Sequence, residues 1–320
     1  MNVSLEECLP AELRRPDTTI TRVAVGFSGA AVHRVDAAGQ TFMLKVSDDR
    51  PLPSWRHQLA LLQRAADAGL APRVVHSDET RRAVLSAFVV DRSFPMFYGN
   101  PATRDAAIAA LAQLLRRVHA LPLPSAAAPA NPRSNGTGPR EFLAQVWSAL
   151  AAAGAVPAFV NEAIERVVAE ETPASDRAPV LSHNDVNPTN LIYDGEKLLL
   201  LDWDTAGGNE PFYDLATVAL FLRMDDAACR ALLAAYDDAP VASLPARFAY
   251  DRRLVAAVCG AMFLQMALSR GHTGAPGDTL DSTTSLGDVY QQMRTGAVNV
   301  ATAAGQWAFG LALVKASVAL

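Results

Sequence analysis

The pattern of apolar and polar positions changes character near residue 90. Before that point short β-type runs alternate with turn signals. TITRVAV at 19–25 reads as a strand, GFSGAA as a turn and VHRV at 32–35 as a second strand, and AAGQ then turns into a third, TFMLKV at 41–46. Runs separated by glycine-bearing turns predict an antiparallel sheet, to which residues 81–90 add another strand. Between these strands Trp55 to Ala68 has helical spacing with Leu59, Leu62 and Ala66 on one face, stopped by GLAP. Beyond residue 90 the helical period dominates. Asp105 to His119 places Ile108, Leu111, Leu115 and Val118 on one face, and helices follow over 142–152 and 158–171. After Asp214 the pattern predicts helices over 214–223, 225–236, 246–270 and 285–318. Residues 1–16 read as a short helix or cap, and the Pro, Ala, Ser, Asn and Gly stretch from Pro122 to Pro139 reads as a surface loop. The predicted class is α+β, with an antiparallel β lobe at 1–90 and a mainly helical lobe at 91–320.

Composition narrows the function classes. Half of the 320 residues are hydrophobic, enough for a sizeable core. A net charge of −5 and a pI near 5.7 carry no electrostatic footprint for nucleic acid and favour a cationic partner. Cys8, Cys229 and Cys259 are scattered, lack metal spacing and read as buried thiols in a reducing compartment. The N-terminal MNVSLEECLPAELRRP has acids and no apolar h-region, so a cytoplasmic protein without a signal peptide is expected. Ala297 to Val314 is uncharged and approaches membrane-spanning length, but it carries Asn299, Thr302 and Gln306; with Leu254 to Leu268 it is expected to form buried helices, not membrane spans.

The densest candidate chemistry lies in VLSHNDVNPTNLIYDGEKLLLLDWDTAGGNEPFYDLA at 180–216. LIY and LLLL flank Asp194-Gly195, a hairpin signal, so two short strands pair. Pairing places His183, Asp185 and Asn190, which precede the first strand, beside Asp202 and Asp204, which follow the second. Such a set suits phosphoryl transfer. In an acidic protein a nucleotide's phosphates need a divalent cation to bridge them to carboxylates, and magnesium takes hard oxygens: the amide of Asn190 and the carboxylate of Asp202, with Asp204 as a further candidate. Asp185, on the same loop as Asn190, is placed to receive an acceptor's hydroxyl proton.

HNDVNPTN resembles the catalytic loop of the aminoglycoside phosphotransferase and choline/ethanolamine kinase superfamily, and Asp202 in LLLLDWD resembles the metal-binding Asp that opens the kinase DFG segment. The likeness extends to most of the chain and is most specific over 180–216. It implies a protein-kinase-like two-lobed fold that uses ATP and Mg2+ to phosphorylate a small alcohol. In that frame His183 props the loop, and Asp214 ties it down from the next helix. Gly26, Ser28 and Gly29 in the first turn would approach the phosphates with bare backbone. Lys45, one of only three lysines in the chain, would reach them from the strand beneath. The backbone near Phe88 to Asp91 would meet the adenine edge. Where the family usually has a Glu to pair the strand Lys, this chain has Gln58, so a neutral hydrogen bond is expected in place of an ion pair.

Only a short loop fits between Asp202 and Asp214, with no long activation segment, which points to a small-molecule acceptor. HisAsnAsp, where aminoglycoside kinases more often have HisGlyAsp, resembles the choline and ethanolamine branch, closest to its bacterial members. A quaternary ammonium would use an aromatic box, for which Trp203, Phe212, Tyr213, Tyr290 and Trp307 are candidates. An aminoglycoside would want extra carboxylates, of which Asp278, Asp281 and Asp288 are the last in the chain. Homoserine, thiamine and sugars remain open, as do a monomer or a homodimer. Two other classes compete. One is a glycosyltransferase with a DxD motif, which would need parallel βαβ units upstream. The other is a nucleotide-binding protein of the same fold without transferase activity.

Overall fold

The structure, a computed structural model, describes residues 4–23, 31–47, 49–123 and 138–320. Its contacts form two compact units: one of residues 1–129, 180–208 and 234–239, the other of residues 130–179, 209–233 and 240–320.

The first unit is built on a five-stranded antiparallel sheet: β1 (Thr19–Val23), β2 (Ala31–Ala37), β3 (Gln40–Val46), β4 (Val74–Asp78) and β5 (Ala83–Ala87), in spatial order β1-β2-β3-β5-β4. The β2–β3 register pairs Ala37 with Gln40 across a two-residue turn. Both turn residues, Ala38 and Gly39, have positive φ (52° and 72°), the geometry that matches the strands' own twist. Alternation along β3 sends Phe42, Leu44 and Val46 into a core with Val35, Ala37, Ala83 and Leu85. Cys8, Leu9 and Leu13, from two short 3₁₀ turns near the N-terminus, cover that core. Lys45 therefore points to the opposite face.

Helix α1 (Leu52–Asp67) follows β3, with Pro53 in its first turn where the missing N–H is not needed. It stops at Gly69, left-handed at φ 67°, where Leu70 N–H returns to the Ala65 carbonyl at 2.8 Å. Its buried positions are Trp55, Gln58, Leu61 and Ala65, one residue out of step with the predicted Leu59, Leu62 and Ala66. A polar residue occupies the buried stripe, which displaced the apparent apolar face.

Two further helices, α2 (Phe94–Gly99) and α3 (Arg104–His119), and three short strands, β6 (Val180–Ser182), β7 (Leu191–Tyr193) and β8 (Leu198–Leu200), also belong to this unit. α2 falls where the apolar pattern predicts no helix. β7 and β8 pair as the predicted hairpin, closed by Asp194, whose Oδ1 accepts from the N–H groups of Glu196 and Lys197 at 2.9 Å each. His119 packs at the end of α3, its Nδ1 2.7 Å from the Tyr236 hydroxyl.

The second unit is helical: α4 (Pro139–Ala153), α5 (Ala158–Ala169), α6 (Pro211–Phe221), most of α7 (Asp226–Asp237), α8 (Ala246–Ser269), α9 (Leu286–Thr295) and α10 (Ala303–Ala319). The expected single helix over 285–318 is two. Gly296, at φ 79°, ends α9, and the Thr302 hydroxyl accepts from Gly305 N–H to start α10. α8 is the hub, packing against α4, α6 and α10. Gly260 and Gly310 let α8 and α10 approach so closely that a Cβ on Gly260 would lie 2.7 Å from Val314 Cγ2. α8 is long and apolar enough to cross a membrane by length and composition, yet 56% of its most apolar window is buried within the protein, and the helix also buries the charged Asp251 and Arg252. Cys8 and Cys229 are buried and Cys259 is half-buried.

Asp251 is wholly buried, with Oδ2 3.0 Å from Arg247 Nε and Oδ1 without a hydrogen-bond partner. Burial raises its pKa, the Arg247 guanidinium opposes that rise and Glu210 adds to it, and the carboxyl ends at about 6 from an ordinary 3.8. Desolvation thus outweighs the ion pair. A carboxyl with a raised folded pKa leaves stability intact below its unfolded pKa and costs stability as pH rises from about 4 to about 6. Asp251→Asn is expected to stabilise the protein by about 1–3 kcal/mol at pH 8 and to be nearly neutral at pH 4. Urea titrations at the two pH values measure this, and a variant less stable at pH 8 than at pH 4, each relative to wild type, overturns it.

Candidate active site

All the described candidate catalytic, phosphate-binding and metal residues lie in the first unit. The β7–β8 hairpin joins two loops: Leu201 N–H donates to the Asn190 carbonyl at 2.8 Å, fixing the end of the 183–190 loop beside the start of the 202–205 segment. His183, wholly buried, adds a second tie, with Nε2 2.8 Å from the Leu201 carbonyl. Because a carbonyl only accepts, Nε2 carries the proton. The ring meets Trp203 edge-on at 5.1 Å, and the His183 carbonyl accepts from the Thr205 hydroxyl at 3.0 Å. The wholly buried His183 thus ties the two loops to each other.

Asp185 is set by its own loop. Asn190 Nδ2 donates to the Asp185 carbonyl at 3.0 Å and to its Oδ2 at 3.1 Å, while Asn187 Nδ2 donates to Oδ1 at 3.0 Å. Asn187 also caps the 3₁₀ turn Pro188–Asn190, its Oδ1 accepting from Thr189 N–H. Since the Asn190 amide nitrogen is committed to Asp185, its Oδ1 is the atom left to act as an oxygen ligand. Two non-glycine residues adopt left-handed backbone here, Asn184 at φ 63° and Asp202 at φ 56°. Asn and Asp are the side chains that tolerate that region best. Asn184 Nδ2 also donates to the Thr205 carbonyl at 3.0 Å, a tie between the two loops for which the sequence pattern carries no signal.

The charged centre forms where β3 faces this segment. Lys45 Nζ lies 2.7 Å from Asp202 Oδ1 and 2.8 Å from Asp204 Oδ2, and Arg50 Nη2 is also 2.8 Å from Asp204 Oδ2. Burial alone would lower the Lys45 pKa, but the two carboxylates outweigh it and hold the ammonium above its usual value. Burial likewise works to raise Asp202, and the charge and hydrogen bond of Lys45 overcome it and hold Asp202 below the usual carboxylate range. Both groups are therefore ionised at neutral pH.

Gln58 does not bond Lys45. Its Nε2 donates to the Asp204 main-chain carbonyl at 2.9 Å, so α1 grips the backbone of the 203–205 turn and Lys45 is held by the Asp pair instead. Gly26, Ser28 and Gly29 lie outside the described residues. Phe88 N–H, in the expected adenine-facing segment, donates to the Thr41 carbonyl at 3.3 Å. Of the aromatic candidates, Trp203 is buried in the first unit and donates its indole N–H to the Leu200 carbonyl at 3.1 Å. Phe212, Tyr213, Tyr290 and Trp307 belong to the second unit, where Trp307 stacks on His272 at 4.5 Å and Tyr290 meets Phe309 edge-on.

Among the described residues no three His, Cys, Asp or Glu side chains gather to hold a metal by themselves. Two carboxylates and one amide oxygen are nonetheless a hard-oxygen set of the kind magnesium uses when water and phosphate complete its shell. The residues present fit that ion.

A family model described as the phosphotransferase enzyme family matches residues 19–253. No curated protein sequence matches the chain. Solved structures do match. A choline/ethanolamine kinase family protein from Mesorhizobium loti is 17% identical, with 93% of this chain and 92% of that one covered and a TM-score of 0.59. An aminoglycoside-3'-phosphotransferase of type VIII is 23% identical over 77% of this chain and 95% of that one, at a TM-score of 0.54. The choline kinase LicA in complex with AMP is 15% identical over 81% of this chain and 88% of that one, also at 0.54. These similarities establish the kinase-like fold.

Gln58 is buried, and its amide supplies a donor that a carboxylate lacks. Gln58→Glu is expected to destabilise the protein by about 1–3 kcal/mol at neutral pH by facing a carboxylate with a carbonyl. Chemical denaturation at pH 7 checks this, and an unchanged or raised midpoint contradicts it.

Proposed function

Because the chain belongs to the phosphotransferase enzyme family, we propose that it transfers the γ-phosphoryl group of ATP to a hydroxyl of a small molecule of the choline or ethanolamine class. The observation that carries this reading is the joint placement of Asp185, locked by Asn190 and Asn187, and the Lys45–Asp202–Asp204 charge cluster, at the ends of one hairpin.

Asn190 Oδ1, Asp202 and Asp204 would hold Mg2+. Bound there, the ion and ATP supply the phosphoryl donor and the positive charge that lets phosphates enter beside carboxylates. Lys45 supplies a fixed ammonium to the phosphates from the sheet face opposite the core. Asp185 orients the acceptor hydroxyl and takes its proton; both of its oxygens are already anchored by amide donors, so the carboxylate does not have to reorganise when the acceptor arrives. His183 and Asn184 keep the two loops in register. ATP as the nucleotide is in keeping with the AMP complex of LicA, and HisAsnAsp and the Mesorhizobium loti likeness favour the choline/ethanolamine class. The aminoglycoside alternative draws on the type VIII likeness and on exposed Asp278, Asp281 and Asp288 in the second unit.

Magnesium-dependent ATP consumption against choline, ethanolamine, kanamycin, homoserine, thiamine and no acceptor tests the assignment. Turnover confined to choline or ethanolamine supports it, turnover with kanamycin moves the chain to the aminoglycoside class, and tight nucleotide binding with no turnover favours a binding-only protein. Asp185→Asn should lower kcat by about 10²–10⁴-fold while leaving nucleotide affinity nearly intact; wild-type turnover in that variant removes Asp185 from its role. Asp202→Ala should abolish the magnesium dependence of nucleotide binding, and an unchanged magnesium titration would take the metal away from it.

A further inference from the structure

Arg50 is a cation in the charged centre that the reading above does not use. Lys45 Nζ and Arg50 Nη2 each lie 2.8 Å from the same oxygen, Asp204 Oδ2, so the two nitrogens are no farther apart than twice that distance. With Asp202 on the other side of Lys45, two cations face two carboxylates and the cluster is neutral. Lys45 alone, against the same pair, would leave it negative and hostile to a polyphosphate.

Stability does not account for the second cation. The Arg50 and Asp204 side chains keep only 19% and 17% of their exposure, and in a mostly buried ion pair the cost of desolvating both charges offsets their attraction. Position says more. Arg50 ends the short turn between β3, which carries Lys45, and α1, which carries Gln58, and its N–H donates to the Ser47 carbonyl at 3.1 Å. Gln58 meanwhile holds the Asp204 main chain. The carboxylate that Arg50 and Lys45 share is thus itself anchored. A guanidinium offers a planar fork that matches phosphate with two parallel hydrogen bonds, and the Asp204 contact engages one of its nitrogens.

We propose that Arg50 is a second nucleotide-phosphate-binding residue, parked on Asp204 together with Lys45 and transferred to the phosphates when nucleotide enters. The exchange replaces one oxyanion partner by another, with no covalent step, and it frees Asp204. This inference rests on the phosphotransferase reading. It makes Asp204 a competitor of the nucleotide's phosphates whenever no divalent cation is present.

Isothermal titration of the whole chain in EDTA with adenosine, AMP, ADP and ATP tests it. Arg50→Met is expected to weaken ATP and ADP about ten-fold, equivalent to about 1.4 kcal/mol, and to change adenosine less than about two-fold. Arg50→Lys, which keeps the charge and loses the fork, should fall between. Asp204→Asn removes the competing charge and should tighten ATP in EDTA, a gain that shrinks in the Arg50→Met/Asp204→Asn double variant, where only Lys45 is released. Equal losses for adenosine and ATP, no loss in Arg50→Met, or no tightening in Asp204→Asn overturns the inference while leaving the phosphotransferase reading in place. Failure of the wild-type protein to bind any adenine nucleotide, with or without magnesium, overturns both. Thermal melts show whether each variant is folded, and should Arg50→Met unfold, Arg50→Lys with the adenosine-to-ATP comparison decides.

Discussion

The hydrogen bond from Leu201 N–H to the Asn190 carbonyl, 2.8 Å long, extends the β7–β8 ladder by one step, and the rest of the site depends on that step. A two-stranded hairpin of three residues a side has little stability of its own. Here it is held from outside: Leu200 N–H donates to the Leu70 carbonyl beyond α1, and the Leu191, Leu198, Leu199 and Leu200 side chains are buried. Once the ladder is in place, a loop that sets Asp185 and a turn that sets Asp202 emerge side by side. The buried His183 ring then locks the junction from beneath.

That local origin explains what was legible in the sequence. HNDVNPTN, the Asp194-Gly195 turn and LLLLDWD lie within 22 residues of one another, and their geometry follows from turn chemistry and pairing rules that need no knowledge of distant contacts. Lys45 was legible for a different reason, its rarity in a chain that otherwise uses Arg. Its partners were not, because Asp202 and Asp204 lie 157 and 159 residues away in sequence. Arg50 gave no signal at all: it is one arginine among many, in a polar turn. Gln58 misled in an instructive way. Periodicity arguments assume that polar residues face water, and α1 buries this one because its amide grips the Asp204 carbonyl, so the apparent apolar stripe came out one residue off.

The helical unit was legible in outline and failed at its breaks. The α9–α10 separation rests on Gly296 and Thr302, ordinary stop and start residues that sit inside a long uncharged stretch where hydropathy overwhelms them. The same stretch and α8 look membrane-like for one reason. Each is a helix surrounded by other helices, so almost every face must be apolar, and where they touch the side chain shrinks to glycine.

The left-handed backbone at Asp202 sets a limit on how this protein can vary. The position demands a carboxylate for its charge and, independently, a side chain that accepts φ 56° and ψ 67°. Glycine meets only the second demand and asparagine meets it without the charge. Glutamate meets only the first and meets it poorly, since its longer side chain gains nothing from that backbone. Aspartate alone passes both filters. A mutational path away from Asp202 therefore has no intermediate that keeps chemistry and conformation together, and drift at this site would have to begin with the backbone of the turn, not with the side chain.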